Sequence, residues 1–366
     1  MKFMYFCTEI LCNYLKYCAI NEPILHISYS MKETLSSISK RLGISTATVS
    51  RVLSGNATKY RISEGTIAIV KAEAARCHYI PSLAAQSLRT NKTKTIGLLM
   101  PKVANPFFAD ISSAIISEAN SKGYTAIVAD TMESVALQNA CISTLVSRKV
   151  DGIIAAPCGH DSKLFEEIND RIAPVVLIDR YFENSSISYV TSNNYKGAFN
   201  ATSLLISNGH KHIVCIQGDV DSLPNKQRVK GYLDALHKSG LQDNASIIGN
   251  AFSLQNGYLE TKLLLSSNIR PTAIFPLCYT ILLGAIKAIK EASLRIPEDI
   301  SIISFDDNLS LDYMTPSITR VSQPTEEMGQ LAAKMLLNKL EGQSELVSQI
   351  ELTTEMIIRK SIAKLE

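Results

Sequence analysis

The sequence predicts a small all-α head joined to a large α/β body with parallel sheets, and three observations carry that prediction. Residues 34–53, TLSSISKRLGISTATVSRVL, hold two short apolar stripes of helical period separated by a glycine. From Thr95 onward, short apolar runs of strand length alternate with segments of helical period. Charge is also unevenly divided. Residues 31–95 carry eleven Lys or Arg against Glu33, Glu64 and Glu73, a net of +8 in a chain whose total is +3. Residues 1–30 are neutral, so the body is net −5. A chain of 366 residues can hold two or three domains. Its 46% hydrophobic and 19% charged residues exclude a disordered polymer.

In the head, Thr34 is placed to cap a first helix with Leu35, Ile38 and Leu42 as its inward stripe. Gly43 ends that helix by taking a positive φ, and Ile44 fills the turn. Ser45 then caps a second helix with Val49, Val52 and Leu53 inward. Ala47, Ser50, Arg51 and Ser54 are left outward, with Thr46 at the exposed N-terminal end. Two such helices about a glycine turn form a helix-turn-helix, which can lay its second helix in the DNA major groove. The pattern alone also fits two core helices of a larger fold; the surrounding positive charge favours a polyanion partner. Small side chains at Thr46 and Ala47 allow close approach to base edges, and Arg51 can donate twice to guanine. Ser45, Thr48 and Ser50 suit phosphate oxygens. Ser63 caps a third helix reaching about Arg76, with Val70, Ala74 and Cys77 inward. Residues 82–88 read as a short helix before a basic linker.

Apolar runs in residues 1–30 are broken by Glu9, Asn13 and Lys16, so no transmembrane span and no secretory signal is expected there. This extension reads as a disordered tail or a stretch preceding the true start, with Met31 opening the folded chain. The eight cysteines show neither CxxC nor zinc-ligand spacing. They are expected as free thiols in a reducing cytoplasm, with no metal and no cofactor. No nucleophile elbow, HExxH, P-loop or GxGxxG is present, which argues against an enzyme.

In the body, TIGLLM, YTAIVAD, GIIAAP, PVVLID, HIVCIQG, TAIFP and ISIISF read as buried strands. Helices are expected over 107–122, 135–148, 162–171, 195–208, 226–239, 256–267 and 279–292. This alternation fits one doubly wound domain or two.

The chain resembles the lactose-repressor (LacI/GalR) family of bacterial regulators. The segments that carry the likeness are ISTATVSRVL, YIPSLAAQSLRT, TIGLLMP, NPFF, RKVDGII, RIPEDISIISFDD and TPSITRVSQP with EEMG. The resemblance implies an all-α helix-turn-helix DNA-binding head plus an α/β periplasmic-binding-protein-like two-lobed sensing domain. It places the head at 31–81, a hinge helix and linker at 82–94, one lobe at 95–192 and 323–340, and the other at 193–322 and 341–366. It implies a homodimer on a near-palindromic operator, read by Thr46, Ala47 and Arg51, with Leu88 wedged into the minor groove. It also implies a small-molecule effector between the lobes, a carbohydrate being one candidate. Strand ends supply the contacts: Asn105, Phe107 and Phe108; Asp179 and Arg180; Ser192; Arg228 and Phe252; Tyr279; Asp306; and Gln323. Phe107 and Phe108 equally fit a core, and Asp179 and Asp306 a turn. The chain departs from the family at Ser82 and Gln86 in the hinge, and its 56–61 loop is about two residues longer. Cys278-Tyr279 and Ser192-Asn193 stand where the family commonly has Asn-Asp and Asp-Asn. The alternative reading is a periplasmic solute-binding protein, which would lack the basic head.

Overall fold

Each head helix carries its own start and stop. In the computed structural model, which describes residues 33–80, 92–267, 270–343 and 347–365, helix α1 spans Leu35–Leu42. Thr34 Oγ1 accepts from Ser37 N at 3.2 Å while Ser37 Oγ accepts from Thr34 N at 3.0 Å, a reciprocal cap. Gly43 ends α1 at φ +64°. Helix α2, Thr46–Leu53, is capped by Ser45, and α3, Glu64–Arg76, by Ser63. Ile38, Val49, Val52, Ala57, Val70 and Ala74 close into one small core. Ile67 packs against it, whereas Ile69 is 54% exposed. The segment 81–91, with the expected hinge helix and Leu88, lies outside the described residues, as does 1–32. The head and the body from Asn91 onward form separate units.

The body holds two six-stranded sheets of the same order. The first comprises β1 (Thr95–Met100), β2 (Thr125–Asp130), β3 (Gly152–Ala155), β4 (Val175–Ile178), β5 (Ser188–Ser192) and β11 (Gln349–Leu352), in the order β2-β1-β3-β4-β5-β11 and wholly parallel. The second comprises β6 (Ile213–Ile216), β7 (Ser246–Ile248), β8 (Ala273–Pro276), β9 (Ser301–Phe305), β10 (Thr319–Ser322) and β12 (Glu355–Ile357), in the order β7-β6-β8-β9-β10-β12. The expected parallel pairing holds throughout this sheet except at its edge, where β12 runs antiparallel to β10. β12 follows β11 of the first sheet after only two residues, and this return across the lobes lays it alongside β10 in the opposite direction.

Helices cover both sheets: α4 (Pro106–Ser121), α5 (Val135–Ser147), α6 (Lys163–Arg171), α7 (Asn194–Ser207), α8 (Leu223–Lys238), α9 (Leu254–Leu265), α10 (Tyr279–Glu291) and α11 (Thr325–Leu340). Helix α8 starts three residues before the expected Lys226 because Pro224 sits in its first turn, where proline costs no backbone bond. Helix α11 belongs to the first lobe. Its Met328, Ala332, Ala333, Leu336 and Leu337 share a core with Ile96, Ile111, Ile154 and Val176. Each such large side chain contributes roughly 1.5–3 kcal/mol on burial.

The chain crosses between lobes after β5, after β10 and again between β11 and β12. The last crossing corrects the expected boundary. Residues 341–366 do not all join the second lobe, since Gln349–Leu352 pair with Tyr189–Ser192 of the first sheet. Among the described residues no helix is long and apolar enough to cross a membrane, and no His, Cys, Asp and Glu cluster could hold a metal.

Candidate functional site

Two regions gather the residues singled out from the sequence. On the head, Thr46, Ala47 and Arg51 are exposed along α2, while Thr48 and Ser50 are half-buried. Ser45 Oγ accepts from Thr48 N at 3.1 Å and shares a hydrogen bond with Thr48 Oγ1 at 2.9 Å, so both hydroxyls first serve the helix cap. Thr46 Oγ1 donates to Ser39 Oγ at 3.2 Å. The Arg51 guanidinium has no ion pair or hydrogen bond among the described residues and lies over the Tyr60 ring, 4.0 Å from its centroid.

In the body, both sheets reverse strand order between their first and third strands, and the carboxyl ends beside those points converge on one cleft. From the first lobe, Asn105 caps α4 by accepting from Phe107 N at 3.2 Å, and the Phe107 and Phe108 rings meet edge to face. Both rings belong to the core and also line the cavity. Asp179 and Arg180 leave the end of β4, with Asp179 in the left-handed region at φ +63°. Glu133 takes two hydrogen bonds from Arg180, at 2.6 and 2.8 Å. The Arg180 guanidinium lies 5.9 Å from the Phe108 ring and 5.7 Å from Phe252 across the cleft. Gly218 makes room for Phe252, since a Cβ there would sit 2.2 Å from its ring.

From the second lobe, buried Arg228 donates to Asn194 Oδ1 at 2.7 Å and to the Leu277 carbonyl at 2.6 Å. It stacks 3.8 Å above Phe305 and comes within 3.7 Å of Asp306 Oδ1. Asp306, at φ +74°, accepts from Gln323 Nε2 at 2.7 Å and from Tyr279 N at 3.2 Å. Ser192 Oγ in turn donates to Gln323 Oε1.

Ser192, Gln323 and Tyr279 do not line this cavity; they stand behind Asp306. The Tyr279 hydroxyl turns aside to Ser310 Oγ at 3.1 Å, and its neighbour Cys278 lines the cleft instead. The remaining wall residues, Lys102, Glu133, Ser222 and Pro224, were not anticipated. Ser222 was legible in part, as the cap position before Leu223-Pro224; Glu133 lies in a turn with no sequence signature.

Two wall atoms are buried without a hydrogen-bond partner: Asp179 Oδ1 in the first lobe and Ser222 Oγ in the second. Burial pushes the Asp179 carboxyl up to about 6, against the opposing pull of Arg180 and Arg228. The cavity volume is about 30 Å³, and a hollow of about 290 Å³ lies on the other side of Arg180 and Ser222, which line both. Gln227 Nε2 donates to Tyr181 Oη at 3.1 Å, a direct bond between the lobes. Buried donors, an unpartnered carboxylate oxygen and aromatic rings from both lobes equip the cleft to grip a polar small molecule.

Known proteins match this arrangement. Residues 202–362 match the model of a periplasmic binding protein-like domain. The chain is 33% identical over 333 residues to the HTH-type transcriptional repressor PurR of Pectobacterium atrosepticum, covering 90% of this chain and 97% of that one. It is 33% identical over 336 residues to the ribose operon repressor of Haemophilus influenzae, covering 91% and 99%. A crystal structure of the lac repressor dimer bound to operator and the anti-inducer ONPF superposes with a TM-score of 0.81 at 26% identity, covering 90% of this chain and 99% of that one.

Proposed function

The chain belongs to the lactose-repressor (LacI/GalR) family of transcriptional regulators, and we propose that it grips a near-palindromic operator as a homodimer under the control of a small polar effector. The observation that carries the DNA half is the outer face of α2. Thr46 and Ala47 present little bulk, and Arg51 keeps every guanidinium donor available. In this reading Thr46, Ala47 and Arg51 meet base edges, and Ser45, Thr48 and Ser50 meet phosphates. Leu88 opens the minor groove at the operator centre, at a cost of a few kcal/mol in unstacking.

The effector half rests on Asp179 Oδ1 and Ser222 Oγ, two unsatisfied polar atoms on opposite walls of one cavity. A ligand that donates to the first and bonds the second, with a face on Phe108 or Phe252, relieves both. A carbohydrate or a nucleobase meets that description. Asn105, Phe107, Arg180, Arg228 and Asp306 complete the wall, and Ser192, Tyr279 and Gln323 hold Asp306 from behind. A cavity of about 30 Å³ admits such a ligand only if the lobes part, the hinge motion expected of this architecture. The ligand alters DNA affinity through its different affinity for the open and closed forms.

A second copy of the chain is the partner we assign to the exposed apolar residues Val128, Met132, Val135 and Leu137 of the first lobe and Leu259 and Leu263 of the second. The solved relative described as a dimer supports that assignment. The site of action is the cytoplasm.

Selection of bound sequences from a randomised duplex library tests the proposal. The expected result is a pair of related half-sites whose binding weakens steeply with salt. Arg51→Ala should flatten preference at one base pair in each half-site, by roughly 1–3 kcal/mol. Folded, dimeric protein with no preference for any duplex would refute it.

A further inference from the structure

We infer that Tyr60 is a specificity-positioning residue, whose ring holds the Arg51 guanidinium in the orientation that reads a base pair. The inference rests on the proposed role of α2. Arg41 is tied to Glu33 at 2.8 Å and to Glu73 at 2.6 Å, and Arg76 to Glu73 at 2.7 Å. A carboxylate occupies the edge donors of a guanidinium, the same donors a guanine O6 and N7 pair requires. Arg51 is held differently. Its only partner among the described residues is the face of the Tyr60 ring, 4.0 Å from the guanidinium carbon, and no carboxylate or carbonyl takes up its N–H donors.

Tyr60 is well anchored for this task. It closes a single 3₁₀ turn, Thr58–Tyr60, and its N–H donates to the Ala57 carbonyl at 3.2 Å. Ala57 is buried in the head core, and Ile62 N donates to the same carbonyl at 3.0 Å. Asn56 N donates to the Arg51 carbonyl at 2.9 Å, which ties the start of this loop to the recognition helix itself. The Tyr60 side chain is 47% exposed, so the core does not need the ring. The residue sits within 56–61, the stretch about two residues longer than the family pattern, so the extra length delivers a side chain to the reading face. A long arginine left free loses rotamer freedom on meeting a base; one already stacked has less to lose, and that difference appears as discrimination.

The test compares the full-length chain with Arg51→Ala, Tyr60→Ala, Tyr60→Leu, Tyr60→Phe and the Arg51→Ala/Tyr60→Ala double variant. Each is scored for relative affinity on a duplex recovered by selection and on the three single substitutions at the base pair that Arg51→Ala affects. Tyr60→Ala and Tyr60→Leu should each weaken preference at that one pair by about two- to five-fold. Tyr60→Phe should restore it, and the double variant should lose no more there than Arg51→Ala alone. Leucine keeps apolar bulk without a π face, so it separates stacking from mere packing and serves if the alanine variant folds poorly. Uniform weakening across all sequences would make Tyr60 a backbone contact and overturn the inference, as would a sharpened preference in Tyr60→Ala. An Arg51→Ala variant that changes no base preference would remove the reading of α2, and the role of Tyr60 with it.

Discussion

Asp179→Asn should stabilise the body near neutral pH and do nothing for it in acid. The side chain is 4% exposed, its Oδ1 has no partner, and burial is the main cause of a carboxyl pushed up to about 6 from an ordinary value of 3.8. A folded pKa above the unfolded one means that the native state holds the proton more tightly. The contribution to stability is complete below about pH 4 and is lost as pH rises through about 6. The interval between those two values corresponds to about 3 kcal/mol at neutral pH. Asparagine has nearly the same shape, carries no charge to desolvate, and tolerates the positive φ that Asp179 adopts. Urea unfolding of both proteins, followed by far-ultraviolet circular dichroism, gives the difference at each pH. Carboxyls other than its charged neighbours Asp306 and Glu133 are untouched by the change, so the gap should open from near zero at about pH 4 towards about 3 kcal/mol at about pH 7.5. A constant gap, or an asparagine variant less stable than the parent at neutral pH, would refute the reasoning.

Two further outcomes follow from packing. Ile38 is fully buried in the head, so Ile38→Ala should remove about 2–5 kcal/mol from a unit with little to spare. Calorimetry should then find the body transition unmoved while operator binding is lost. At Gly284 in α10, an added Cβ would lie 2.1 Å from the Leu254 carbonyl and 2.5 Å from Tyr258 N of α9. Gly284→Ala should therefore force those helices apart at a cost on the order of 1–3 kcal/mol, read as a lower melting temperature of the body.

Much of this architecture was legible because the local signals agreed with the packing. Thr34, Gly43, Ser45 and Ser63 stand at the head boundaries their chemistry demands, and the apolar runs at 95–100 and 301–305 are strands buried on both faces. The strands that escaped notice are short and mixed in polarity. SII, QIEL and EMI lie at sheet edges and need no long apolar run, whereas SYVTS and TRVS bury polar side chains whose hydrogen bonds the sequence does not display. The third crossing between the lobes was hidden for that reason: its landmarks, β11 and β12, exist only through pairing with distant strands. In the cleft, residue type identified the charged and aromatic members, but depth was invisible. Cys278 and Tyr279 are adjacent, and only the direction in which the Tyr279 hydroxyl finds Ser310 decides which of them meets the cavity.

The placement of α11 and β11 also dictates an order of events during synthesis. The first lobe is translated first, yet its core lacks Met328 to Leu337 and its sheet lacks an edge until almost the entire polypeptide has left the ribosome. Neither lobe can mature alone, so a late frameshift or a premature stop near residue 320 would disable both at once. The head, closed by residues 34–77, has no such debt and can form while the remainder is still being made.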